Sequence, residues 1–109
     1  MIASHPIMPP TKPSKEHMAA LHDMQVILAT ARIGIHPDKA QAHAALQAMD
    51  AEQRRMQQDG MSARHLDGAR SALAGIAGGY LPTTAQCVDA VLTLRTHEQA
   101  LEEMAQATE

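Results

Sequence analysis

The residues of this chain best suited to chemistry are seven histidines, a single cysteine and a set of carboxylates gathered towards the C-terminal end. A metal site on a helix draws ligands three or four residues apart on one face, as in His-x-x-x-His or Glu-x-x-His. His5, His17, His22, His36, His43, His65 and His97 form no such pair. Met18 and His22 stand four apart, but two donors are too few alone. His43 meets His97 only if the second and fourth helices face each other. A His/Met carrier of metal or haem is therefore a secondary reading. The lack of Phe, Trp and any Cys-x-x-Cys-His run weakens the haem case further. No cofactor and no metal ligands are expected.

Cys87 lies near a helix start, where a thiol pKa can fall, yet it also sits on an apolar stripe, where a small buried hydrophobe is the simpler reading. As the only cysteine it excludes an intramolecular disulfide and a cysteine zinc site, and it suits a reducing compartment. Glu98, Glu102 and Glu103 are carboxylates on an exposed helix end with neither nucleophile nor cleft to serve. The glycine-rich run 75–79 lacks the Lys-Ser/Thr tail of a phosphate loop and closes a helix instead of opening one. Catalytic residues are not found, and the chain is expected not to be an enzyme.

Charge is distributed unevenly. Residues 54–70 carry Arg54, Arg55, Arg64 and Arg70 against Asp59 and Asp67, a local balance of +2. Residues 86–109 carry Asp89, Glu98, Glu102, Glu103 and Glu109 against Arg95, a balance of −4. The basic stretch makes a nucleic-acid-binding regulator the first alternative, ahead of the metal or haem carrier, but the chain as a whole is at −3 and shows no recognition-helix pattern. The acidic end offers a surface that could steer a basic partner.

These side chains need helices to position them. Pro6, Pro9, Pro10 and Pro13 deny a helix to residues 1–13, which read as a flexible arm without the basic and apolar regions of a secretory signal. Ser14 is the expected cap of a first helix from Lys15 to about Ile33. Gly34 ends it, with Ile35 placed for the hydrophobic contact of a Schellman motif. Its packed seam is Leu21, Met24, Leu28, Ala31 and Ile35. Pro37 is expected to open a second helix with His36 as cap and Asp38 in the first turn. That helix runs to about Gln58, before Asp59 and Gly60, on a seam of Ala42, Leu46, Met49, Gln53 and Met56. Ser62 is expected to cap a third helix over 63–77, ended by Gly78 and Gly79, with Leu66, Ala69, Leu73 and Ile76 inside. Thr83 and Gln86 form a capping box for a fourth, from Thr84 to about Gln106. Its stripe is Cys87, Ala90, Val91, Leu94, Leu101 and Met104, with His97 on the same face. Residues 71–94 hold only one charge, Asp89, but Gly78, Gly79 and Pro82 interrupt them, so no membrane span is expected.

The expected fold is thus all-α, a four-helix up-down bundle-like domain over 14–109 behind the arm. Twenty-one alanines and eight methionines supply most of the apolar positions, so the helices must be slender and closely packed. An alanine adds about one methyl group of burial, roughly 0.8 kcal/mol, which favours repair of a thin core by association. Gly68, Ala72, Gly75 and Gly79 place small residues along one side of the third helix. Glycine inside a helix costs about 1 kcal/mol relative to alanine, so a close helix neighbour or a subunit interface is expected there. Met18, Met24, Met49 and Met56 either fill the core or form a docking surface, with core favoured. The function expected is a small cytoplasmic, non-enzymatic interaction module (a regulator, inhibitor or chaperone-like adaptor) docking through helix faces onto another protein. A homo-oligomer, with a dimer favoured, is expected. Partner-binding residues would be Glu98, Glu102, Glu103, Arg54, Arg55 and Arg64.

Overall fold

The computed structural model describes residues 14–107, so the proline-rich arm expected at 1–13 lies outside the described residues. The described chain is all-α: α1 (Lys15–Arg32), α2 (Lys39–Gln58), a 3₁₀ turn (Arg64–Leu66), α3 (Asp67–Ala77) and α4 (Thr84–Ala107). Each helix packs on its predecessor and α1 closes the ring against α4. Contacts at one end show the up-down order. His17 from the head of α1 and Glu52 from the tail half of α2 meet there, with His97 from the tail half of α4 bonded to His65 just before α3.

Local chemistry explains the helix ends. Ser14 accepts a hydrogen bond from the His17 backbone N–H at 3.0 Å, closing the start of α1. At its other end Gly34 takes φ +85°, and Ile35 N–H donates to the Thr30 carbonyl at 3.3 Å, the long bond of a Schellman motif. Gly60 and Gly79 repeat the device after α2 and α3: Met61 N–H donates to Met56 and Tyr80 N–H to Gly75, each at 2.8 Å. Ahead of α4, Thr83 N–H donates to Gln86 Oε1 (2.9 Å) and Gln86 N–H to Thr83 Oγ1 (3.1 Å), completing the capping box.

Several expectations shift. Ile35 is 56% exposed, because the chain has already left the helix when it is reached. Pro37 is buried before α2 instead of opening it, and Asp38 is the cap, accepting from Gln41 N–H at 3.0 Å. The third helix does not begin at Ala63: Arg64–Leu66 forms a 3₁₀ turn first, and Ser62 accepts only a 3.4 Å bond from Arg64 N–H. Leu21, Met24, Leu28, Met49, Leu66, Leu73, Ile76, Leu94 and Cys87 form the fully buried centre. Met56 is also buried and Met18 packs against the core, so these four methionines serve the interior. On α2 Ala45 and Glu52 are buried, Leu46 packs against the core while partly exposed, and Glu52 takes the inward place expected of Gln53. No described helix is long and apolar enough to cross a membrane.

Candidate functional site

The inward turn of Glu52 creates the most unusual chemistry in the molecule. Its carboxylate is 4% exposed in a bundle of mostly Ala, Leu and Met, where an unpaired charge would be very costly. The surrounding helices supply the compensation. His17 Nε2 of α1 and Arg55 Nε, one turn along α2, both donate to Oε1 at 2.8 Å. His97 Nε2 of α4 donates to Oε2 at 2.6 Å, and Arg55 Nη2 to the same oxygen at 2.9 Å. Arg55 Nη1 also reaches Asp59 at 3.2 Å. Beyond His97, its Nδ1 lies 3.1 Å from His65 Nε2, with the two rings tilted by 40°. A chain of hydrogen bonds therefore runs from exposed His65 through buried His97 to Glu52.

Electrostatics follow the geometry. Burial pushes the Glu52 pKa up. Hydrogen bonds from His97 and Arg55, with the charges of His17 and Arg55, outweigh it and lower the value from 4.5 to about 2. The hydrogen bond to Glu52 raises Arg55 further, so the pair is ionised throughout the ordinary pH range. His65 is lowered, first by burial and then by the charge of His97. Burial raises the Cys87 thiol, which is fully enclosed, and that setting keeps it protonated and inert.

This arrangement suits a structural ion-pair network better than a metal site. Donors from His17, His97 and Arg55 already occupy both oxygens of Glu52, and no group of three or more His, Cys, Asp or Glu among the described residues is placed to hold a metal. His43 is exposed on α2, whereas His97 turns to Glu52 and His65.

The other sequence-derived candidates are scattered. Arg55 is not a surface cation awaiting a partner but a member of the Glu52 network. Arg70 pairs with Asp50, while Arg54 and Arg64 are exposed. Glu102 and Glu103 are exposed and Glu98 half-buried on the last turns of α4. Along α3, a Cβ added at Gly68 would meet no atom within 4 Å, and one at Gly75 would meet only the Tyr80 carbonyl at 3.9 Å. No described helix therefore presses on either glycine. Gly68, Ala72 and Gly75 instead line a shallow groove of ≈ 380 Å³ with Leu81, Pro82 and Asp89.

Two hollows follow the α1–α2 seam. One of ≈ 330 Å³ adjoins His17, Glu52 and Arg55. The other, of ≈ 400 Å³, is lined by Ala20, Val26, Ile27, Ala44, Ala45 and Ala48, with Asp23 and Gln41 also on it. Sequence reasoning missed Glu52, His17 and His65. The available signal was Glu52 with Arg55 one turn later, at a helix position that period alone leaves open between Glu52 and Gln53. Comparison with protein-family models, curated proteins and solved structures finds no match to this chain.

Proposed function

We propose that this protein is a small, non-enzymatic, cytoplasmic interaction module that takes an amphipathic helix of another protein along the α1–α2 seam. The observation that carries this reading is the alanine-lined groove between Ala20–Ile27 and Gln41–Ala48, beside which Val26 is 49% exposed. Small side chains on both walls let a partner helix approach closely, with its apolar i, i+3, i+4 residues entering the groove. Met18, Met24, Met49 and Met56 lie in or against the core, the place favoured for them, so alanine and valine supply the contact. Glu98, Glu102 and Glu103 act at longer range by steering a basic partner.

The test compares wild type with Val26→Glu as bait in the native host. A protein held by wild type and lost from a Val26→Glu chain of unchanged melting temperature supports the groove. Equal retention removes it. Replacing Glu98, Glu102 and Glu103 with Gln should then slow association several-fold at low salt and leave it unchanged at high salt.

The groove over Gly68, Ala72 and Gly75, flanked by Tyr80 at 74% exposure, supports a homodimer through α3 as part of the same proposal. Native mass spectrometry of wild type and Gly68→Leu tests it. A dimer that Gly68→Leu dissociates supports the interface, and a wild-type monomer at tens of micromolar rejects it.

A further inference from the structure

The contact between His65 and His97 sets a limit on protons. Its facing nitrogens are 3.1 Å apart, so one of them carries the hydrogen and the other must offer a lone pair. His97 Nε2 already holds a hydrogen, because the ionised carboxylate of Glu52 can only accept. The contact then closes in two ways. Neutral His97 accepts from His65 Nε2, or charged His97 donates through Nδ1 to neutral His65. With both rings charged, N–H would face N–H across the same gap, and the bond has no acceptor.

We infer that the His65–His97 contact is a proton-gated latch: it holds the 3₁₀ turn and the head of α3 against α4 while at most one ring is charged, and releases them when acid charges both. The groups around the latch are accounted for on every side. Glu52 and Arg55 face it from α2, His17 reaches Glu52 from α1, and Asp67 stands beside His65 at the head of α3, held by Gln53 at 2.9 Å. Nothing in this set supplies an acceptor between two charged rings. His65 is exposed, so solvent protons reach it, while the neighbouring Leu66 is fully buried. Release therefore uncovers apolar surface at this end of the bundle.

The lowered pKa of His65 gives the sign. A group harder to protonate in the closed state stabilises that state above its ordinary range, near pH 6.5, and loses the contribution as pH falls through its lowered value.

Hydrogen exchange of the full chain by NMR between pH 7.5 and 5, corrected for the intrinsic pH dependence of exchange, tests the latch. Opening linked to uptake of one proton should lower protection of the Leu66 and Arg70 amides about tenfold per pH unit over the acidic part of this range. Amides of Leu28 and Ala45 should hold their protection. His65→Gln, which keeps a donor for His97 Nδ1 but cannot titrate, should flatten the pH dependence at Leu66 and Arg70. Unchanging protection in wild type, a uniform fall through all helices, or an equal fall in His65→Gln would each overturn the proposal.

Discussion

Near the head of α1, His17 crosses to Glu52 and joins α1 to α2 by a 2.8 Å hydrogen bond, while further along the same two helices face each other through alanines and leave a groove. The side chains available at each level account for the contrast. Histidine and glutamate are long enough to span the interhelical gap and directional enough to fix it. Alanines at 20, 44, 45 and 48 cannot fill that gap. One end of the seam thus gains its rigidity from a network in which every described buried side-chain N or O has a partner. The middle is left accessible to something else. The network holds one stretch of this helix pair and the proposed docking uses the other, so mutation can separate them.

The largest effect is expected at Glu52. Glu52→Ala removes the shared acceptor and strands donors from α1, α2 and α4, which should cost about 3–5 kcal/mol in chemical denaturation. A loss below about 1 kcal/mol would mean that the network fixes geometry without contributing to stability. Acid tests the same carboxylate without mutation. Its pKa is lowered on folding from 4.5 to about 2, so its contribution is complete above pH 4.5 and declines as pH falls towards 2. The loss should reach roughly 3 kcal/mol at the bottom of that window and be absent from Glu52→Ala. The latch begins to lose its contribution as pH falls below about 6.5, ahead of the onset of this window, so one acid titration can order the two.

A smaller effect is expected at His17. His17→Ala deletes one hydrogen bond to a charged group yet leaves Glu52 with His97 and Arg55, for a loss of about 1.5 kcal/mol. Smallest of all should be Ala44→Leu and Val26→Glu on the open stretch, each within about 0.5 kcal/mol of wild type in stability. If either destabilises the chain as much as His17→Ala, the groove is part of the fold and not a docking surface.

The sites of the two stretches were unequally legible in the sequence. The alanines could be counted from the start, but their concentration on facing walls depends on the rotation of α2. That rotation turns on a near tie: Leu46 with Gln53 and Ala45 with Glu52 both keep helical spacing with Met49 and Met56. The seam read from the spacing took Gln53, and a charged side chain such as Glu52 is rarely buried without partners. His17 and His97 reverse the choice, and they lie 35 and 45 residues away in the chain. Arg55 shows the same dependence on context. As an isolated cation it suited a surface role, whereas beside Glu52 it belongs to the interior network.

Local stereochemistry determined much of this protein without reference to the rest of the chain. Ser14 caps α1, Thr83 with Gln86 caps α4, and Gly34, Gly60 and Gly79 end three helices, because each acts on backbone groups within five residues. Apart from Ile35 and Met104, which are exposed, the apolar stripes of α1, α3 and α4 are likewise written in spacings of three and four, and with short connections they call for an all-α bundle. Only the tertiary structure decided the facing of α2, the convergence of His17, Glu52, Arg55 and His97, the contact of His65 with His97, and the open space over Gly68 among the described residues. Those outcomes depend on side chains distant in sequence meeting at one level of the bundle, where a hydrogen bond or a gap exists only once the helices are packed.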